Sequence, residues 1–117
     1  MVMAERFVRE MVEKGNVKYS EHAIQRMGER KILRPFVDHS ILNGEVLEIQ
    51  DFPGEDIKVI FHSVEESTDP FYVIVAARFS QVVVVSVCFF LEDVWAQLGD
   101  IRVRRGKKWN AFIAIRQ

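Results

Sequence analysis

The chain has a single cysteine, Cys88, among its 117 residues. That excludes an intramolecular disulfide framework and a multi-cysteine zinc site. Prolines number three and glycines six, and no Pro/Gly/Ser-rich stretch divides the chain. An interdomain linker and a glycine-rich phosphate cradle are therefore both missing. Long apolar runs are missing too. The longest, Val82 to Leu91, is broken by Ser86 and falls well short of the ~20 residues of a membrane-spanning helix. Met1 to Lys14 carries charge throughout and holds no apolar core of a signal peptide, so a cytoplasmic protein without a membrane partner is expected. His22, His39 and His62 show no short ligand spacing, so no metal or other cofactor is expected. Ser86 lies in no Gly-x-Ser-x-Gly elbow, which argues against a serine nucleophile.

What is present is ordinary globular material. Hydrophobic residues at 49% and charged residues at 28% exclude a disordered tail or a coiled-coil rod. A chain of this length buries roughly two thirds of its unfolded surface, so a single domain over 1–117 is expected. The net charge of −1 conceals a division. Residues 1–50 are balanced, residues 51–100 carry −7, and residues 101–117 carry +6 with no acid at all. Such segregation creates local fields that net charge does not report. Arg102, Arg104 and Arg105 are candidate phosphate contacts on this basis. The alternative is that the basic end neutralises the chain's own acidic middle.

Periodicity predicts helices first and strands afterwards. Phe7, Val8, Met11 and Val12 recur at helical spacing in Ala4–Lys14, which Gly15 stops. Val17–Tyr19 is an extended lead-in. Ser20 is a candidate N-cap for a second helix over Glu21–Arg30. Pro35 suits the start of a third helix, with Gly44 just past its end and Phe36, Val37, Ile41 and Leu42 as its buried stripe. The period then changes to two. Strands are expected over 45–51, 57–62, 71–79 and 82–90, the last apolar on both faces and hence internal. Glu92–Leu98 reads as a short helix, and 101–105 with 109–115 as a hairpin. The expected fold is α+β, two or three N-terminal helices on one face of an antiparallel sheet of four or more strands. The mixed polar face of that sheet carries Lys58, His62, Tyr72 and Arg78. The run Trp109–Ile115 is apolar on both faces and needs cover, as an edge strand or in a homodimer through 109–115.

The segment Ser20-Glu21-His22-Ala23-Ile24-Gln25-Arg26-Met27-Gly28-Glu29-Arg30-Lys31-Ile32 carries the most chemistry. His22, Arg26 and Arg30 are spaced by four, so on a helix they form a slowly drifting row about 12 Å long. Two arginines at i and i+4 repel unless an anion lies between them, and a guanidinium fork matches phosphodiester oxygens. An imidazole at the end of the row suits proton transfer near neutral pH. The set fits metal-independent cleavage of RNA, with the 2′-hydroxyl attacking its own phosphate. The competing reading is a solvated helix face, in which Glu29 pairs with Arg26.

The pattern Ser20-x-His22-Ala23-x-x-Arg26-Met27-x-x-Arg30-x-Ile32, followed by a short helix ending at Gly44, resembles an uncharacterised bacterial family, the domain-of-unknown-function family 4258. The resemblance covers about residues 17–91, leaving 101–117 as a basic and apolar C-terminal extension. By its fold the family is similar to the RelE/ParE-like toxins, a group of ribosome-dependent or free ribonucleases and gyrase poisons. The resemblance implies His22, Arg26 and Arg30 as the signature polar residues. The chain departs from the family where Ser86 and Cys88 stand for a threonine and an aromatic, and where Phe71 and Tyr72 stand for a histidine. His62 or Tyr72 is then the candidate to replace that strand histidine as proton-transfer partner. Two functions are expected from this material. One is a toxin-like ribonuclease acting through His22, Arg26 and Arg30, with His62, Tyr72, Arg78, Arg102, Arg104 and Arg105 holding RNA and an antitoxin protein masking the basic face. The other is a non-catalytic module docking an acidic protein segment or nucleic acid.

Overall fold

The computed structural model describes residues 3–64 and 69–89, together with the backbone of two further strands at 95–98 and 101–104. The order is α1 (Met3–Glu13), β1 (Val17–Tyr19), α2 (Glu21–Arg30), α3 (Arg34–Asn43), β2 (Val46–Gln50), β3 (Ile57–His62), β4 (Phe71–Ala77), β5 (Val82–Phe89), β6 (Trp95–Leu98) and β7 (Ile101–Arg104). The first five strands form one sheet in the order β1-β5-β4-β3-β2. The pairs β2/β3, β3/β4 and β4/β5 are antiparallel, whereas β1 runs parallel to β5. The architecture is thus α+β, with the helices at the N-terminal end as expected.

Alternation along the strands decides which side the helices cover. Val59, Phe61, Phe71, Val73, Val75, Val84 and Val87 join Val8, Val12, Ala23, Met27, Val37 and Ile41 in one buried cluster. All three helices therefore contribute to one face of the sheet. The residues between, Ile60, Tyr72, Ile74 and Cys88, form a second cluster with Leu47 on the opposite face. Fully burying one valine or isoleucine is worth about 1.5–3 kcal/mol. Two-faced strands such as β4 and β5 are consequently strong organising elements.

Three polar devices fix the helical layer. Arg9 of α1 reaches the C-terminal end of α3, donating to the carbonyls of Ile41 (3.0 Å), Leu42 (2.8 Å) and Gly44 (2.7 Å). It also pairs with Glu5 at 3.1 Å and lies 5.1 Å from the centroid of the Phe61 ring. These are carbonyls that a helix end otherwise leaves unsatisfied. Tyr19 donates its hydroxyl to the Asp38 carboxylate, and Arg34 stacks 4.3 Å from the Tyr19 ring centroid, so β1 is tied to α3. Gly44 closes α3 against β3, where an added Cβ would collide with the backbone oxygens of His62 and Ser40.

One expectation needs correction. Trp95–Leu98 is a strand, not the end of a helix, and residues 92–94 lie outside the described residues. Its partner is Ile101–Arg104, in the register Leu98↔Ile101. Leu91, Val94, Trp95 and Leu98 have helical spacing, but only two residues, Gly99-Asp100, separate Leu98 from Ile101, which is hairpin chemistry. The segment 109–115 itself lies outside the described residues. A smaller difference is that β4 ends at Ala77, leaving Arg78 and Phe79 exposed.

Candidate functional site

The path from β1 into α2 is built around Ser20. Its backbone is extended (φ −68°, ψ 159°), and its Oγ accepts from the Ala23 N–H at 3.0 Å, which makes it the N-cap of α2. The same hydroxyl donates to the Val85 carbonyl at 2.9 Å. That carbonyl is available because β4 and β5 change register between Ile74↔Ser86 and Val75↔Val84, which leaves Val85 as the extra residue of a bulge. The Ser20 N–H also donates to the Val84 carbonyl at 3.0 Å. One serine therefore starts the helix and fastens it to the sheet.

The rest of the motif divides by burial. Ala23 is fully buried, and Met27 and Ile32 nearly so, all in the helix-side cluster. These positions are packing residues. His22 points outward, is exposed, and makes no hydrogen bond or ion pair among the described residues. Arg26 keeps 41% of its side chain exposed and lies 3.6 Å from Glu29. Arg30 keeps only 11% and lies 3.6 Å from the same Glu29 oxygen. Glu29 also accepts from the Gln25 amide at 3.1 Å. The row thus starts in solvent at His22 and ends nearly buried at Arg30, with one carboxylate divided among three donors. After Arg30 the helix closes on Lys31 in the left-handed conformation (φ 56°), and the Ile32 N–H returns to the Met27 carbonyl at 2.9 Å.

The sheet residues expected to help are grouped elsewhere. His62 and Tyr72 are Cα partners across β3 and β4, so the structure does bring them together. Tyr72 belongs to the cluster on the face opposite the helices, however, and alternation puts His62 on that face as well. The His62 Nδ1 lies 2.6 Å from the Ser63 carbonyl. Arg78 follows β4, exposed, with its Nε donating to Asp56 at 2.9 Å. Arg102 and Arg104 lie on β7, opposite Gln97 and Trp95, and Arg105 lies outside the described residues. His62, Tyr72 and Arg78 therefore stand apart from the α2 row rather than in one cleft with it.

Glu48 was not singled out by sequence. It lies on β2 opposite Ile60, is fully buried, and sits on the sheet face that also carries His62 and Tyr72. A glutamate in the pattern Val46-Leu47-Glu48-Ile49 reads as the exposed half of an edge strand, and the register change between Val46 and Glu48 is what alters its surroundings. Tyr19 has a clearly displaced ionisation. Burial, then the hydrogen bond to Asp38, pushes its phenol above the ordinary value. A groove of about 600 Å³ lies between α1 and α3, lined by Arg6, Arg9, Glu10, Glu13, Leu42 and Asn43, and none of the candidate residues borders it. Among the described residues no group of three or more His, Cys, Asp and Glu side chains is arranged to hold a metal. No described helix is long and apolar enough to cross a membrane.

No curated protein and no solved structure matches the chain. A family model does match, over residues 19–89, from the tyrosine ahead of the capping serine to the last residue of β5. With Ser20, His22, Ala23, Arg26, Met27 and Arg30 all inside that span, the chain belongs to the family described as Domain of unknown function (DUF4258).

Proposed function

We propose that the outer face of α2 binds a phosphodiester of RNA and that the protein is a metal-independent endoribonuclease related to the RelE/ParE-like toxins. The observation that carries this reading is the state of His22 and Arg26. Both are accessible on successive turns of one helix, His22 has no described intramolecular partner, and the one carboxylate beside Arg26 among the described residues is shared with Arg30 and Gln25. A bound phosphate displaces a long, divided ion pair at little cost, because exposed pairs contribute only about 0–1 kcal/mol. Arg26 then holds the phosphate and offsets the charge that grows in the transition state. His22 takes the 2′-hydroxyl proton and returns it to the leaving 5′-oxygen after the 2′-oxygen has bonded to phosphorus. The nearly buried Arg30 positions Glu29 and the end of the helix. A layer of helices ahead of a largely antiparallel sheet supports the toxin-like reading, and an antitoxin would act by covering the α2 face.

A second reading, a non-catalytic module that docks nucleic acid or an acidic protein segment, is favoured by one observation. His62 and Tyr72 lie on the opposite face of the sheet, so α2 presents a single proton carrier. The two readings separate in one experiment. Purified protein is incubated with RNA in excess chelator, and both binding and strand length are followed for wild type, His22→Ala and Arg26→Ala. Cleavage by wild type that disappears in His22→Ala, with 2′,3′-cyclic phosphate ends, supports the ribonuclease. Binding without cleavage, weakened in Arg26→Ala, supports the module. Neither binding nor cleavage removes both.

A further inference from the structure

The turn between β4 and β5 carries a side chain that the fold leaves unused. Arg78, Phe79, Ser80 and Gln81 connect Ala77 to Val82, and all four are exposed. Turn positions favour glycine, proline, asparagine, aspartate and serine, each for a backbone reason that phenylalanine does not supply. Phe79 is 99% exposed, so its ring packs against nothing in the chain. The charges around it are divided. Toward β3, Arg78 donates its Nε to Asp56 at 2.9 Å, and Lys58 lies 3.5 Å from Glu55. Toward β1, Lys18 stands opposite Val83, exposed and without a hydrogen bond or ion pair among the described residues. Lys14 precedes it in the same condition, with no acid between the two in the chain. The tip is neutralised on one side and positive on the other.

We propose that Phe79 is a stacking platform for an unpaired base, and that a single strand of RNA runs from this tip along the edge strand β1, past Lys18, to the His22 and Arg26 face of α2. The proposal rests on the reading of α2 given above and adds the form of the substrate and its path. Topology supplies the path. Val17 pairs with Val82 at the foot of the turn, Tyr19 pairs with Val84, and the Ser20 N–H donates to the Val84 carbonyl at 3.0 Å. Only the three residues of β1, about 10 Å of strand, separate the turn from the start of α2. Single-strand sites take about 4 nucleotides or more, which cover more than that even at the stacked spacing of about 3.4 Å. Chemistry supplies the form. Every base has a π-face, so stacking on one ring tolerates any sequence, while lysines beside it follow the backbone. A base inside an A-form duplex has both faces covered by its neighbours and cannot meet the ring. Phe79 therefore distinguishes single strand from duplex, whereas Lys18 attracts both.

The probes are a fluorescent oligouridylate with methylated 2′-oxygens, which binds without reacting, and an RNA duplex of the same length. Affinity is measured by anisotropy at several salt concentrations for full-length wild type, Phe79→Ala, Phe79→Trp, Lys18→Ala and Arg26→Ala. Phe79→Ala is expected to bind the single strand about tenfold more weakly than wild type, with its salt slope and its duplex affinity unchanged. Phe79→Trp restores binding, and the oligonucleotide quenches its added indole fluorescence. Lys18→Ala lowers the salt slope by about 0.7. Because the ring packs on nothing, thermal melts of both Phe79 variants coincide with wild type, so a loss of binding is not a loss of fold. Unchanged single-strand binding in Phe79→Ala, with Arg26→Ala weakened, overturns the platform and leaves the α2 reading intact. Weakening in Phe79→Ala with Arg26→Ala unaffected overturns the α2 reading and with it the path. Equal weakening on single strand and duplex overturns the proposed selectivity. Pelleting of wild type with phosphatidylserine vesicles, lost in Phe79→Ala and without oligonucleotide binding, makes the tip a lipid anchor and overturns the proposal.

Discussion

Replacing Ser20 by alanine tests whether one hydroxyl performs both tasks that the geometry assigns to it. The first is the N-cap on the Ala23 N–H (3.0 Å), whose loss costs about 1 kcal/mol. The second is the bond to the Val85 carbonyl (2.9 Å), worth about another 1 kcal/mol. Ser20→Ala is therefore expected to lose about 2 kcal/mol, or about 8 °C in Tm for a chain of this size. Urea denaturation followed by far-ultraviolet circular dichroism gives the loss, with an unchanged m-value as the check that both proteins unfold over the same surface. Two further substitutions separate the tasks. Ser20→Thr keeps the acceptor and the donor and should stay within about 0.5 kcal/mol of wild type. Ser20→Asp keeps a good cap but has no proton for Val85 and sets two acceptors face to face, so it should recover none of the loss. A fully stable Ser20→Asp, or a Ser20→Ala that loses under about 0.5 kcal/mol, would refute the reasoning. The matter bears on function because Ser20 sets where the first turn of α2, and hence His22, stands.

Two other outcomes follow from the helical layer. Arg9→Met keeps the aliphatic stem but strips three carbonyls of their donor, and should cost about 2–4 kcal/mol by equilibrium unfolding, against under about 0.5 for the exposed Arg6→Met. Tyr19 has a folded-state pKa raised by burial and then by Asp38, so the folded protein holds its phenolic proton where the unfolded chain loses it. The stability this confers is present below about pH 10, the unfolded value, and declines as pH climbs from there toward the raised folded value. Wild type should accordingly lose stability more steeply than Tyr19→Phe between about pH 10 and 11, and parallel curves would contradict the assignment.

Local signals carried much of the architecture. Ser20 as cap, Pro35 at the start of α3, Gly44 at its end and the alternation in 57–62 and 71–77 each act within a few residues, and each element stands where those residues put it. The apolar run of β5 correctly implied an internal strand, which the order β1-β5-β4 explains. Contacts distant in sequence were not legible. The parallel pairing of Val17–Tyr19 with Val82–Val84 joins segments that nothing local connects. Arg9 resembles any amphipathic helix residue until α3 brings its carbonyls within reach. The strand Trp95–Leu98 was not legible because Leu91, Val94, Trp95 and Leu98 fall at helical spacing over so short a stretch.

The candidate site was legible in part. The spacing of His22, Arg26 and Arg30 made a row on α2, but spacing carries no depth, and Arg30 is nearly buried where His22 is exposed. Strand alternation already put His62 and Tyr72 on one face. Which face the helices would take depended on the sizes of all the side chains together, so their separation from α2 emerged only with the packed structure.

The central claim, that the outer face of α2 receives a phosphodiester, is met most directly by titrating isotope-labelled protein with an RNA oligonucleotide whose 2′-hydroxyls are replaced by hydrogen, so that it binds without reacting. Shifts of the His22 ring and of backbone amides in residues 20–30 are expected, fading in Arg26→Ala. Shifts confined to β2, β3 and β4, or no shifts at all, would contradict it.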